Sequence, residues 1–155
     1  EEAINSAKAD KKSGLVTVVG NKKFHFISDT KWLLRQGFEI IEELPSGFCL
    51  LALHFKTPEE LPYFNDSTKT GITETEGCVA YFSNRCPYSE YHVQESLIEA
   101  CRKRNIPLKI VKLETLEQAQ ASPTPATIFS LFYNGRFLTT DISACMDSRI
   151  DKYLT

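Results

Sequence analysis

The sequence predicts an α/β protein built from two units. An almost continuous apolar run at Leu15–Val19 is typical of a strand covered on both faces, and two further strand-like runs follow at Phe38–Leu44 and Phe48–Phe55. From Cys78 onward, the hydrophobic periodicities predict elements in the order β-α-β-α-β-β-α. A polar segment, 57–76, separates the two groups and predicts a linker.

The first unit, about 1–56, opens with a predicted helix. Residues 1–12 place Ile4 and Ala7 on one face, and Gly14 is suited to follow the helix end. Because no capping residue stands before the helix, we expect it to be the end of a longer one. Ser28 or Asp29 is predicted to cap the next helix.

That second helix carries the apolar residues 32–34 and is expected to end at Gly37. The two strands after it are predicted to form a hairpin through the turn residues 45–47. In the linker, which has two prolines and scattered apolar residues, we expect one short turn around Pro58-Glu59-Glu60.

The second unit, about 77–155, has its own signals. A helix over 88–104 would bury one face, and Thr115 with Gln118 predicts a capping box. The other predicted elements are strands at 108–113, Thr127–Tyr133 and Phe137–Thr139, and a final helix at 145–154. Asn134-Gly135 predicts the turn between the last two strands.

Composition excludes several classes of function. Of 155 residues, 42% are hydrophobic and 25% charged, and the formal net charge of −2 gives no reason to expect a nucleic acid or an anionic membrane as partner. No apolar run is long enough to span a membrane, and the N-terminal residues lack the apolar core of a signal peptide. The five cysteines lack metal-ligand spacing, so we expect reduced thiols, no metal site and a cytoplasmic protein.

The main candidate site is the segment CPYS, Cys86–Ser89, which follows an apolar run and a short polar turn. Proline is tolerated in the first helical turn, so Cys86 should lie at a helix N-terminus, where a thiolate is favoured. Strand, turn, Cys-Pro-Tyr-X and helix resemble the active-site corner of thioredoxin-fold proteins, glutaredoxins above all. Ser89 stands in place of their second cysteine.

This resemblance suggests roles for the neighbours of Cys86. Cys86 is either a reactive thiol or a vestigial corner; Ser89 either donates a hydrogen bond to the thiolate or caps the helix, and capping is the preferred interpretation. Arg85 would lower the pKa of Cys86, and Tyr88 would pack or line a groove. Pro123 or Pro125 resembles the cis-proline opposite the active cysteine in that fold, and we prefer Pro125. The resemblance implies a substrate-binding groove lined by Arg85, Tyr88, Thr124 and Pro125. The cysteines Cys49, Cys78 and Cys101 are predicted to be core residues.

The first unit carries a second resemblance. The segment WLLRQGFE, residues 32–39, followed by a two-strand hairpin, resembles the end of a GNAT-family N-acetyltransferase domain. Together with CPYS and FYNGRFLT, residues 132–139, the whole chain resembles the C-terminal part of the YoaP-like acetyltransferases, in which a thioredoxin-fold domain follows a GNAT domain. The resemblance implies acetyl transfer from acetyl-CoA to a small-molecule or peptide amine.

Three departures from that family limit the inference. None of the seven glycines lies in the R/Q-x-x-G-x-G/A loop that binds the acetyl-CoA pyrophosphate. Leu33 replaces the tyrosine that often protonates the leaving thiolate, and Phe26 replaces a common asparagine. We therefore expect no acetyl-CoA binding by this chain alone. Two alternative functions stay open: a monothiol oxidoreductase using Cys86, and a non-catalytic substrate-binding or interaction module.

The apolar run in the first unit also bears on assembly. In a fragment of a GNAT sheet, the strand within 14–20 becomes an edge, and an apolar edge strand pairs readily with another chain. The sequence therefore predicts a two-fold homodimer formed through these residues.

Overall fold

The computed structural model describes residues 1–22, 24, 27, 30–58, 60–73 and 76–155. The chain divides into two compact units, 1–64 and 65–155, each of mixed α/β composition, which confirms the predicted fold class. The boundary lies within the predicted linker. The predicted cap at Ser28 or Asp29, the position of Phe26 and the turn at Glu59 lie outside the described residues.

The first unit contains a three-stranded antiparallel sheet. Its elements are α1 (Glu2–Ala9), β1 (Gly14–Gly20), α2 (Thr30–Arg35), β2 (Glu39–Glu43) and β3 (Phe48–His54). The sheet order is β1-β3-β2, so β1 and β2 are the edges. The predicted strands and the hairpin turn are confirmed.

In this unit Val19, Leu33, Phe38, Cys49 and Leu51 pack together as a buried hydrophobic cluster. The expectation that β1 is covered on both faces is wrong for its first half, where nothing among the described residues covers the Val16 side chain, which is 54% exposed.

The second unit contains a four-stranded mixed sheet. Its elements are α3 (Asp66–Thr70), β4 (Cys78–Phe82), α4 (Pro87–Tyr91), a π-helical segment (His92–Leu97), α5 (Ile98–Lys103), β5 (Leu108–Lys112), α6 (Leu116–Gln120), β6 (Phe129–Tyr133), β7 (Arg136–Thr139), a 3-10 turn (Ile142–Cys145) and α7 (Asp151–Leu154). The sheet order is β5-β4-β6-β7; β4 and β5 are parallel, and the other pairs are antiparallel. The order of elements from β4 is the predicted one.

The helix α3 differs from the sequence prediction, which expected only a turn near Pro58 in this segment. Polar side chains attach it to the end of α6 and the residues after it. Asn65 Nδ2 and Ser67 Oγ donate to the carbonyl oxygen of Gln120 at 2.9 and 3.0 Å, and Thr68 Oγ1 donates to that of Ser122 at 3.1 Å. The second half of the predicted linker is therefore part of the second unit.

The long predicted helix is continuous from α4 through the π-helical segment to α5. Its predicted face is confirmed, because Val93, Leu97, Ala100 and Cys101 are all buried in the core against β4 and β6. The predicted helix at 145–154 is wrong in its first half. Met146 adopts an extended conformation with ψ of 136°, which ends the 3-10 turn and delays α7 to Asp151.

Hydrogen bonds connect three segments at one end of this sheet: the start of β4, the residue before β5 and the turn between β6 and β7. Cys78 N donates to Pro107 O at 2.8 Å, Gly77 N donates to Asn134 Oδ1 at 2.8 Å, and Asn134 N donates to Gly77 O at 2.9 Å. Gly77 has φ of 84°, and a Cβ there would lie 2.3 Å from Pro107 O. Only glycine fits this fastened end of the sheet.

Candidate functional site

Cys86 lies at the opposite end of β4 from Gly77, beyond the loop 83–85. It is the N-cap residue of α4, with extended backbone angles (φ −131°, ψ 120°), and Pro87 occupies the first turn. Ser89 N donates to the carbonyl oxygen of Cys86 at 3.1 Å and closes that turn. The predicted position of the thiol at a helix start is confirmed.

The surroundings of the thiol favour its ionised form. Burial of the thiol acts to raise the pKa of Cys86, but the Ser89 side chain and the backbone N–H groups of Tyr88 and Ser89 outweigh it and hold that pKa below the ordinary value. Hydrogen-bond donors stabilise a thiolate more than a neutral thiol. This end of β4 therefore carries a partly exposed cysteine with a lowered pKa.

Ser89 does not cap the helix, so the preferred sequence interpretation is wrong. Its side chain is fully buried in the first turn, and its Oγ has no complete hydrogen bond to any group that the structure describes. It is nevertheless one of the groups that lower the pKa of Cys86. A buried hydroxyl without a full partner is available to a developing thiolate.

Arg85 and Tyr88 are both exposed. The groups that lower the pKa of Cys86 belong to the helix turn, and Arg85 is not among them, which corrects the predicted role of Arg85. Tyr88 is 69% exposed, so it does not pack into the core.

The cis-proline expected at Pro123 or Pro125 is absent, because every peptide bond among the described residues is trans. Strand β6 also begins at Phe129 and not directly after Pro125. Thr124 is buried, and its Oγ1 accepts a hydrogen bond from Ala126 N at 3.2 Å. The Thr124 hydroxyl is therefore committed to its own loop.

A cleft of about 550 Å³ lies at the carboxyl ends of β4 and β5, next in the chain to Cys86. Its polar lining is formed by Ser83, Asn84, Arg85, Lys112, Glu114 and Thr127. Of the predicted groove residues, Arg85 belongs to this lining, whereas Tyr88, Thr124 and Pro125 do not appear in it as described. Ligands of α/β proteins commonly bind at the carboxyl ends of parallel strands.

Sequence reasoning missed most of these residues. Their one signal is position: 83–85 directly follow one predicted strand and Glu114 follows another, so parallel pairing brings both segments to the same edge. Lys112 connects this edge to α4, since its Nζ lies 3.0 Å from Glu90 Oε1 and 3.7 Å from Glu114 Oε1. Glu90, as the closer partner, is the main reason why the pKa of Lys112 is raised.

The other four cysteines are buried, which confirms the core prediction for Cys49, Cys78 and Cys101. Burial is the main cause that raises the pKa of Cys49 and Cys145, and the Cys101 thiol beside it raises the pKa of Cys78. Cys78 in turn lowers the pKa of Cys101, but Cys101 is 1% exposed, so a reagent in solution does not reach it.

The described part of the chain contains no group of histidine, cysteine and carboxylate side chains arranged to hold a metal ion. Among the described residues, no helix is both long enough and apolar enough to cross a membrane.

Comparison with known proteins shows which proteins this chain is similar to. Residues 107–152, from just before β5 to the start of α7, match the model of the YoaP-like family. Over 142 residues the chain is 30% identical to the uncharacterized N-acetyltransferase YoaP of Bacillus subtilis (strain 168). The chain is a relative of YoaP. This alignment includes 92% of the chain and 56% of the relative, so the chain spans little more than half the length of the curated protein that it matches. No solved structure matches the chain.

The YoaP-like segment contains five of the eight described residues that line the cleft. Lys112, Glu114 and Thr127 lie within 107–152, whereas Ser83, Arg85 and Cys86 precede it. The cleft is thus built from the YoaP-like segment and from the strand–helix connection that precedes Cys86.

Proposed function

We propose that this protein takes part in N-acetyl transfer from acetyl-CoA to an amine, as the C-terminal part of a YoaP-like acetyltransferase. The observation that carries the proposal is the 30% identity to an N-acetyltransferase over 92% of the chain. In this proposal, residues 1–56 are the end of a GNAT domain, and residues 77–155 form a thioredoxin-like accessory domain.

Two features of the fold support the division of roles. In the first unit, α2 runs into Gly37 and then into the β2–β3 hairpin, the sequence of elements expected at the end of a GNAT domain. In the second unit, the order β5-β4-β6-β7 with a parallel β4–β5 pair is the arrangement expected of a thioredoxin-like sheet.

The chain contributes little to acetyl-CoA binding in this proposal. The sequence has no pyrophosphate loop, and Leu33, in the position of the common proton donor, is 8% exposed and packs in the core of the first unit. Binding of acetyl-CoA and the chemical step would therefore fall to the part of the relative that this chain does not match. Calorimetric titration of the chain with acetyl-CoA is expected to give no binding heat.

A hybrid enzyme tests the proposal directly. The part of the Bacillus YoaP aligned with this chain is replaced by the chain, and coenzyme A release is followed with a thiol reagent over a panel of primary amines. We expect acetyl transfer to the amines accepted by unaltered YoaP. A folded hybrid that binds acetyl-CoA but transfers no acetyl group to any amine accepted by YoaP would contradict the proposal.

A second candidate function is monothiol exchange at Cys86, favoured by the donors that lower the pKa of Cys86. The Cys86 thiolate would attack a glutathione mixed disulfide, form a Cys86–glutathione disulfide and release the other thiolate, so the step conserves electrons. A second glutathione thiolate would then restore Cys86 and release glutathione disulfide. Turnover of a glutathionylated peptide by the chain, lost in Cys86→Ser, is the expected result; equal turnover by that variant would contradict it.

A further inference from the structure

The inference begins with one buried hydroxyl in the cleft lining. Ser83 is 7% exposed, and its Oγ has no hydrogen-bond partner among the described residues. A buried hydroxyl without a partner costs free energy, and native proteins retain few of them without a reason. Ser83 lines the cleft, so a ligand bound there can supply the missing partner.

The charges of the lining indicate what kind of ligand this is. Arg85 is exposed at the cleft, and no ion pair is described for its guanidinium, which is suited to bind a carboxylate through two hydrogen bonds. Glu114 is held only loosely, because Lys112, at 3.7 Å from it, is closer to Glu90 at 3.0 Å. The lining thus contains two cations: Lys112, which is paired with Glu90 and Glu114, and Arg85, for which no ion pair is described. Glu114 is the carboxylate that lines the same cleft.

The size of the cleft sets the scale of the ligand. A volume of about 550 Å³ lies within the range of small-molecule sites, about 300–1,000 Å³. An amino acid or short peptide fits this volume and presents both charges that the lining complements.

We propose that this cleft binds a small zwitterion, an amino acid or short peptide, with its carboxylate on Arg85 and Ser83 and its free amine toward Glu114. The binding itself is independent of acetyl transfer. That the bound amine is the acetyl acceptor rests on the proposed function.

Four probes test the charge pattern: triglycine, triglycine amide, N-acetyltriglycine and inorganic phosphate. Each is titrated into the isotope-labelled chain at pH 7 and followed by the backbone amide signals of 83–85 and 112–114. We expect saturable binding of triglycine, and binding weaker by about ten-fold or more for the two blocked peptides, since each lacks one charged hydrogen bond. Equal binding of all the peptides, tighter binding of phosphate, or no binding up to millimolar concentration would each overturn the proposal.

Variants locate the site. Arg85→Gln is expected to weaken triglycine binding about ten-fold and to leave triglycine amide unaffected, whereas the matched control Arg136→Gln, an exposed arginine on β7, changes neither. Ser83→Ala removes a hydroxyl that has no partner in the free protein, so the melting temperature should not fall while triglycine binding weakens. Unchanged triglycine binding in both Arg85→Gln and Ser83→Ala would refute the assignment.

The hybrid acetyltransferase separates the two proposals. If the chain binds triglycine but the hybrid acetylates no amine, the cleft inference stands and the proposed function fails. If the hybrid acetylates amines with unchanged KM in the Arg85→Gln variant, and triglycine does not bind the chain, the proposed function stands and the cleft inference fails.

Discussion

Arg104 holds Asp151 through two parallel hydrogen bonds, Nε to Oδ1 at 2.7 Å and one terminal nitrogen to Oδ2 at 2.6 Å. The same guanidinium donates to Asp147 Oδ1 at 2.6 Å and to the carbonyl oxygen of Ala100 at 2.9 Å. The end of α5 is thereby joined to the C-terminal segment. The basic run 102–104 suits the negative end of the helix dipole, and Arg104 also has this structural role.

Replacing Arg104 should lower the melting temperature of the protein. Arg104→Lys keeps the charge but loses the planar pair of hydrogen bonds to Asp151, so it should melt below the wild type. Arg102→Lys, at an exposed neighbouring position, is the matched control and should melt like the wild type. Equal melting of the two variants, measured by circular dichroism, would show that the paired geometry contributes nothing.

The same contacts predict how stability depends on pH. Hydrogen bonds from Arg104 are the main cause that holds the pKa values of Asp147 and Asp151 below their ordinary range. The unfolded state therefore binds more protons at acid pH, so this stabilisation is present above the unfolded pKa of about 3.9 and is lost as the pH falls through the folded pKa. In Arg104→Gln, the free energy of unfolding measured in urea should fall less steeply below pH 4 than in the wild type. If the free energy of unfolding depended on pH equally in both proteins, the contacts of Arg104 would not be the cause of this pH dependence.

Cys86 should be the most reactive of the five thiols. Labelling of the native protein with iodoacetamide, measured by mass spectrometry against pH, should modify Cys86 first, because the other four are buried. Ser89→Ala should slow labelling at pH 7 several-fold, since it removes a group that lowers the pKa of Cys86. The control is Ser130→Ala, which alters another buried hydroxyl on β6 and should label at the wild-type rate. Faster labelling of Cys101 would contradict the assignment.

Adjacent residues in the long helix should differ sharply in their effect on stability. Leu97 is fully buried, so Leu97→Ala should cost about 2–5 kcal/mol of unfolding free energy through the cavity that it leaves. Ile98, the next residue, is 45% exposed, and Ile98→Ala should change stability by about 0.5 kcal/mol or less. Urea denaturation measures both, and similar losses would mean that the helix face is misplaced.

The exposed edge at β1 predicts self-association. Val16 is 54% exposed on an edge strand, so a second copy of the chain can pair along 14–20. Val16→Lys should weaken the dimer in analytical ultracentrifugation, whereas Leu116→Lys, at an exposed apolar position on α6, should not. A wild-type chain that sediments as a monomer at tens of micromolar would refute this dimer.

Local sequence patterns correctly predicted the elements with strong periodicity. They failed to predict elements whose stability depends on residues far away in the chain. The face of Val93 and Leu97 and the capping box of Thr115 depend on neighbours within the same helix, and all are as expected. The helix α3 has no such pattern, because its stability comes from polar bonds to residues more than fifty positions away.

The candidate site shows the same limit. The position of Cys86 followed from the turn and Pro87, which are local. Ser89 does not cap because Cys86 already occupies the N-cap position, which is also local. The trans bond at Pro125 and the inclusion of Lys112 in the cleft depend instead on how separate strands and loops meet in space. A single sequence contains little information about such contacts between distant segments.

The two ends of the second sheet should differ in how well they tolerate amino-acid substitutions, because Gly77 and Asn134 make close backbone contacts at one end. Where backbone atoms touch at Gly77 and Pro107, nearly any substitution would disturb strand pairing, so this end should accept few sequence variants. At the other end, Asn84, Arg85 and Glu114 are exposed and hold no strand in place, so they can be exchanged without unfolding the sheet. Related proteins could thus acquire different ligands by altering the cleft alone, while the same scaffold is inherited unchanged.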